Sequence, residues 1–149
     1  MHTVEILLVE DDPGDALLAT EALRAGKVTN NVHCVADGEE ALAFLRRQGA
    51  FADAPRPDLV LLDLTLPRID GRQVLAAVKD DPDLRRIPIV VLTASGAEED
   101  IVRSYNLHAN AFVTKPVDFE RMKEVVRKID EFYFSIVRLP HNAEHPTTE

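Results

Sequence analysis

Short hydrophobic runs alternate with segments of helical periodicity along most of the chain. The runs predict five strands, at Val4–Val9, Val32–Ala36, Leu59–Asp63, Ile89–Thr93 and Ala111–Thr114. The third and fourth runs are hydrophobic at successive positions, which is typical of parallel strands covered on both faces. Helical periodicity predicts five helices between and after them, at Pro13–Ala25, Glu39–Arg47, Arg72–Lys79, Glu98–Asn106 and Phe119–Val137. This alternation predicts a doubly wound α/β sheet.

Start and stop signals support several of these helix boundaries. Asp12 precedes Pro13, a residue suited to the first turn of a helix, and Asp118 is a candidate N-cap for the last helix. Gly26 and Gly49 stand where helices are expected to stop. The segment between Gln48 and Asp58 is predicted to be a surface loop.

The composition restricts the protein class without identifying it. The chain has 149 residues, a formal net charge of -9 and no long apolar segment, so we expect one cytoplasmic domain without an output domain. The negative charge argues against nucleic acid as a partner, because phosphate backbones are bound by clustered Lys and Arg. The one cysteine, Cys34, excludes an internal disulfide, and its apolar surroundings predict a buried, inert thiol.

Polar side chains lie at the carboxyl ends of four of the five predicted strands, either as the last residues of the strand or directly after it. They are Glu10, Asp11, Asp12, Asp63, Thr93 and Lys115. The carboxyl ends of parallel strands meet at one edge of a doubly wound sheet, where the functional crevice lies. A single polar residue at a strand end is common, but four complementary ends together indicate a site.

These residue types suit phosphoryl transfer onto a carboxylate. A carboxylate such as Asp63 can act as a nucleophile towards phosphorus if the negative charges around it are neutralised. Mg²⁺ relieves repulsion among clustered carboxylates and accepts oxygen ligands. The Lys115 ammonium and the Thr93 hydroxyl can hold the remaining phosphate oxygens.

The same residues resemble the receiver domains of two-component response regulators. The resemblance covers nearly the whole chain and rests on Leu8-Val9-Glu10-Asp11-Asp12, Leu61-Leu62-Asp63, Pro67 with Asp70-Gly71, Thr93-Ala94 and Lys115-Pro116. It implies a flavodoxin-like strand order of 2-1-3-4-5 with five helices, the last one extended. The receiver domain would span residues 1–140, followed by a flexible tail at 141–149.

The resemblance also implies a role for each acidic residue. Asp63 would be phosphorylated by a sensor histidine kinase. Asp11 would ligate Mg²⁺ directly, Glu10 would act through a metal-bound water, and Asp63 and the backbone carbonyl of Thr65 would complete the protein ligands. Many receivers have Asp-Asp where this chain has Glu10-Asp11, and we favour a helix-capping role for the additional Asp12.

On the phosphate side, the resemblance implies contacts and a switch. Thr93 would be the switch hydroxyl, Ala94 would leave room for the phosphoryl group, and Lys115 would bind it. The peptide bond from Lys115 to Pro116 would be cis. Phe112 is equally consistent with the family's aromatic switch and with an ordinary aromatic of the last strand.

The last third of the chain carries a narrower resemblance. The segment from Tyr105 to Phe119, followed by Ile136-Val-Arg-Leu-Pro140, resembles small stand-alone receivers that partner phytochrome-type sensor histidine kinases. His108 belongs to this segment, and we expect it to have a structural or surface role.

The end of the last predicted helix is hydrophobic almost all round. This property indicates an interface, and we expect a homodimer formed by the fourth helix, the fifth strand and the extended fifth helix. The alternative is that these side chains fold back onto the domain. The interface residues would be Phe132, Tyr133, Phe134, Ile136 and Val137.

Three other functions fit parts of the pattern less well. An aspartate-nucleophile phosphatase resembles a pattern with a second Asp where this chain has Thr65, so we expect an acceptor with slow dephosphorylation at most. A nucleotide carrier would need a glycine-rich loop after the first strand, where this chain is acidic. An unphosphorylated scaffold remains an alternative, but the set of site residues disfavours it.

Overall fold

The protein is described by a computed structural model. The structure describes residues 3–26, 29–64, 66, 69–93, 111–114, 120, 122–124, 126–127 and 130–131. For residues 93 and 111–114 the description is limited to the backbone.

The described residues form a parallel sheet with the strand order β2-β1-β3-β4-β5. The strands are β1 (Val4–Val9), β2 (Asn30–Val35), β3 (Leu59–Asp63), β4 (Ile89–Thr93) and β5 (Ala111–Thr114). The predicted strand order and the bounds of all strands except β2 are therefore confirmed. Successive strands are added on one side of β1 for β2 and on the other side for β3. Because the strand order reverses between β1 and β3, a crevice is expected at the carboxyl ends of these two strands.

Three helices connect the first four strands, and their starts follow from acidic caps. They are α1 (Pro13–Arg24), α2 (Gly38–Arg46) and α3 (Gly71–Lys79), and short 3₁₀ turns lie at Gly49–Phe51 and Leu84–Arg86. The carboxylates of Asp12, Asp37 and Asp70 each accept a hydrogen bond from a first-turn amide. Each cap satisfies an amide that has no partner within the helix.

The later predicted helices are only partly covered. Residues 120, 122–124, 126–127 and 130–131 are helical, in agreement with the fifth predicted helix. Its cap Asp118, its extension to Val137 and the whole fourth predicted helix lie outside the described residues. No helix within the described ranges is both long enough and apolar enough to span a membrane.

Hydrophobic layers cover both faces of the sheet. On one face, Leu7, Val9 and Leu62 pack with residues of α2 and α3. On the other face, Leu8 and Leu61 belong to a cluster formed with α1 and the C-terminal helical residues. Every residue of β3 is buried, as its continuous hydrophobic pattern predicts.

The edge strand β2 departs from the prediction in two ways. It begins at Asn30 rather than Val32, because Asn30 and Asn31 pair with Val4 and Glu5 of β1 despite their low strand propensity. The prediction of a buried Cys34 is wrong, since this residue is exposed on the edge strand. Partial desolvation of the sulfur, followed by the charges of Glu10 and Glu40, raises the pKa of the Cys34 thiol.

The end of α2 also differs from the expected stop at Gly49. Arg47 adopts the left-handed conformation, with φ 56° and ψ 52°. Its amide donates to the carbonyl of Phe44 at 3.2 Å, and the amide of Gln48 donates to that of Ala43 at 2.9 Å. This pair of bonds is a Schellman motif in which arginine occupies the position that glycine usually takes.

Candidate functional site

Three carboxylates converge where the central strands end. Val9 of β1 is opposite Leu62 of β3, so Glu10 and Asp63 lie one residue beyond this pair. Carboxylate oxygens of Glu10, Asp11 and Asp63 all lie within 4.8 Å of one another. The structure therefore brings together three of the residues that the sequence predicts to form the metal site.

The three carboxylates differ in their access to solvent. Glu10 is 4% exposed and Asp63 is 7% exposed, whereas Asp11 is exposed. Buried carboxylates at this separation repel each other unless a cation or a proton lies between them. A set of oxygen donors without sulfur or imidazole suits Mg²⁺, Ca²⁺ or Mn²⁺ rather than Zn²⁺ or copper.

The backbone after β1 orients the first acidic residues. The Glu10 amide donates to the Val35 carbonyl at 3.0 Å, which continues the sheet one residue past β1. The Asp12 amide donates to Oε2 of Glu10 at 3.1 Å. Oδ2 of Asp12 accepts from the Asp15 amide at 3.0 Å. The predicted capping role of Asp12 is therefore confirmed.

Asp63 is held by the start of α3. The Leu64 amide donates to the Leu92 carbonyl at 3.2 Å, and the Gly71 amide donates to the Leu64 carbonyl at 2.9 Å. A Cβ on Gly71 would lie 2.7 Å from the carbonyl oxygen of Asp63, which is closer than real Cβ contacts. Glycine at position 71 thus lets α3 begin directly against the end of β3.

A second glycine, which the sequence analysis did not single out, supports the same region. A Cβ on Gly38, the first residue of α2, would lie 1.8 Å from the carbonyl oxygen of Ile69. Ile69 belongs to the segment that connects Asp63 to α3. The available signal was a glycine directly after the Asp37 cap, a position where a better helix former is normally tolerated.

The other predicted site residues are covered only in part. The backbone of Thr93 ends β4 opposite Thr114 of β5, at the same edge of the sheet as Asp63. The Thr93 and Phe112 side chains lie outside the description. So do the residues Thr65, Ala94, Lys115 with the predicted cis bond to Pro116, His108, Phe132, Tyr133, Phe134, Ile136 and Val137.

Comparisons with known proteins agree with this geometry. Residues 6–127 match the family described as the response regulator receiver domain. Response regulator Rcp1 of Synechocystis sp. is 45% identical over 135 residues, covering 91% of this chain and 92% of that protein.

Two solved structures are also similar. The phosphorylated cyanobacterial phytochrome response regulator RcpA has a TM-score of 0.82 and 48% identity, and the match covers 91% of this chain and 97% of that one. The Mn²⁺-bound form of Rcp1 has a TM-score of 0.78 and 45% identity, and the match covers 87% of this chain and 94% of that one.

Proposed function

The chain belongs to the response regulator receiver domain family, and we propose that Asp63 accepts a phosphoryl group from a sensor histidine kinase. The observation that carries this proposal is the convergence of Glu10, Asp11 and Asp63 at the carboxyl edge of the sheet. A carboxylate in this position can act as the nucleophile towards phosphorus. The low exposure of Asp63 also limits the access of water to it.

Mg²⁺ is the cation that fits this group of residues. Glu10, Asp11 and Asp63, with the backbone carbonyl of Thr65, would hold it, and the Mn²⁺-bound form of Rcp1 supports a divalent cation here. When bound, Mg²⁺ neutralises negative charge on the carboxylates and on the incoming phosphoryl group.

The transfer itself is a substitution at phosphorus. A carboxylate oxygen of Asp63 forms a bond to the phosphorus of the kinase phosphohistidine, and the bond from phosphorus to nitrogen breaks. The bonding electron pair remains on the imidazole of the kinase. The Lys115 ammonium and the Thr93 hydroxyl contact the transferred phosphoryl oxygens, and the small side chain of Ala94 leaves space for them.

The output is a change in affinity for partners. The phosphoryl group carries more negative charge and more acceptor oxygens than a free carboxylate. The Thr93 hydroxyl moves towards it, and Phe112 changes its packing, so the population shifts between two arrangements of this face. We expect the protein to be an acceptor that loses its phosphoryl group slowly, because Thr65 stands where the phosphatase pattern has a second Asp.

The upstream partner we propose is a phytochrome-type sensor histidine kinase in the cytoplasm. The similarity to a phytochrome response regulator, RcpA, supports this class of kinase. The receiver domain would span residues 1–140, with 141–149 as a flexible tail.

We further propose that the chain forms a homodimer through the fourth helix, the fifth strand and the fifth helix. Its interface would include Phe132, Tyr133, Phe134, Ile136 and Val137, which are hydrophobic residues close together in the sequence of the last predicted helix. Sedimentation at micromolar concentration should give a dimer. A monomer, both with and without a phosphate mimic, would rule the dimer out.

A transfer assay tests the phosphoacceptor function. The purified chain is incubated with Mg²⁺ and a panel of autophosphorylated sensor kinases, including phytochromes, and acid-labile protein phosphate is followed. We expect rapid transfer from a phytochrome-type kinase and none to Asp63→Asn. Asp12→Asn is the matched control and should be labelled like the parent chain, because it removes a neighbouring charge but keeps a good helix cap. Labelling of Asp63→Asn equal to that of the parent chain would refute the assignment of Asp63 as the phosphoacceptor.

A further inference from the structure

A cationic cavity lies at the opposite edge of the sheet from the three carboxylates. It has a volume of about 410 Å³, and its lining includes Arg46 and Arg47 from the end of α2 and Arg56 from the loop before β3. The amino edge of the sheet is about 15 Å from Asp63, since β3 has five residues. A cluster of arginines stands out in a chain whose formal charge is -9.

The carboxylates in the lining are already engaged within the protein. Nη1 of Arg56 donates to Oδ2 of Asp83 at 2.8 Å, and its Nη2 donates to the Asp83 carbonyl at 3.0 Å. Oδ1 of Asp81 accepts from the amides of Asp83 and Leu84 at 2.9 and 3.1 Å. These amide bonds, followed by the charges of Arg46 and Arg56, lower the pKa of Asp81. Both carboxylates therefore already have hydrogen-bond partners within the protein.

Arg46 and Arg47 remain available to an external anion. Both are exposed, and neither has a carboxylate within ion-pair distance in the described part of the chain, while the charge of Arg46 acts on Asp81 from farther away. Arg85 and Arg86, on the adjoining 3₁₀ turn, are also exposed and add positive charge to this edge. Two guanidinium groups at the mouth of one cavity can form bidentate hydrogen bonds to phosphate oxygens.

The backbone at Arg47 gives a second, independent observation. A left-handed residue other than glycine costs about 1 kcal/mol or more, and the C-terminal position of a Schellman motif normally takes glycine. The negative pole of α2 would favour a cation in the last turn, but Arg46 already supplies one there. Arg47 therefore has a strained backbone that glycine would avoid, and its charge is not required to balance the negative pole of α2. This combination indicates a role for the Arg47 side chain outside the helix.

The rest of the lining suits a compact ligand. Leu45 and Leu84 are 8% and 4% exposed and contribute apolar surface beside the arginines. The volume falls within the range of pockets that bind small molecules. We propose that this cavity binds a small molecule through a diphosphate group, which is held by Arg46 and Arg47 while Arg56 is fixed beside it by Asp83.

Calorimetric titration with inorganic pyrophosphate tests the proposal. The full chain is used in a buffer containing EDTA, so that no divalent cation recruits the probe to the carboxylates at the other edge. We expect saturable binding with one molecule per chain. Arg46→Ala and Arg47→Gly should each weaken it at least about tenfold, because a hydrogen bond to a charged group contributes about that factor or more.

The choice of variants separates lost binding from lost folding. Arg47→Gly removes the guanidinium but relieves the left-handed strain, so its melting temperature should equal or exceed that of the parent chain. Arg24→Ala is the matched control, since Arg24 is an exposed arginine on α1 paired with Glu21 at 3.1 Å. Its affinity for pyrophosphate should be unchanged. Absence of saturable binding, unchanged affinity in Arg47→Gly, or an equal loss in Arg24→Ala would each overturn the proposal.

Discussion

Replacing Gly38 with alanine should disturb the segment that leads from Asp63 to α3. The new Cβ would lie 1.8 Å from the Ile69 carbonyl oxygen, and real Cβ contacts are essentially never below 3.0 Å. The difference, 3.0 minus 1.8, means that the two backbones must move apart by at least 1.2 Å in total. The Ile69 carbonyl carbon, at 2.7 Å, would also be too close. Because the obstacle is backbone, a side-chain rotation cannot relieve it.

Overpacking of this kind costs about 1–3 kcal/mol in the free energy of unfolding. A loss of about 2 kcal/mol corresponds to a fall of roughly 4–8 °C in melting temperature for a domain of this size. The displaced segment adjoins Asp63, so the affinity for Mg²⁺ should fall as well. Thermal denaturation and a Mg²⁺ titration measure the two effects on the same variant.

Gly14→Ala is the matched control for this experiment. The nearest atom to a Cβ on Gly14 would be Oδ2 of Asp12 at 3.6 Å, an ordinary contact within the first turn of α1. There alanine should leave stability unchanged or raise it by about 0.5–1 kcal/mol, because it is the better helix former. If Gly38→Ala proved as stable as Gly14→Ala, the close contact between α2 and Ile69 would be refuted.

Two further predictions concern the acidic turn and the edge strand. Asp12→Ala should lower the free energy of unfolding by about 1 kcal/mol, because the α1 cap is lost. Its affinity for Mg²⁺ should be nearly unchanged. A large loss of affinity in a metal titration would instead show that Asp12 is a metal ligand. Cys34 should react with iodoacetamide at pH 8 more slowly than free cysteine, because its raised pKa lowers the thiolate fraction; a faster reaction would contradict this.

The sequence was sufficient to predict the buried strands and the convergence of the acids. The bounds of β1, β3, β4 and β5 are confirmed. For β1, β3 and β4, nearly continuous hydrophobic runs that end in polar residues mark strands buried by the layers on the two faces of the sheet. The meeting of Glu10, Asp11 and Asp63 follows from the rule that parallel strands place their carboxyl ends at one edge.

The errors arise where contacts distant in sequence decide the structure. Asn30 and Asn31 become strand residues only because they pair with β1, and Cys34 is exposed because β2 is an edge strand. A run of hydrophobic residues does not reveal which strand lies at the edge. Likewise, the contact between Gly38 and Ile69 joins the start of α2 to the segment between β3 and α3, and these two parts of the chain are neighbours only in the folded protein.

The central claim is that the phosphoryl group is carried by Asp63 in a reaction that requires a divalent cation. Peptide mapping by mass spectrometry, after phosphorylation and reduction of the acyl phosphate with borohydride, tests it most directly. The account predicts modification of Asp63 in the presence of Mg²⁺ and none in EDTA. Modification of a different residue, or equal modification of Asp63 in EDTA, would contradict it.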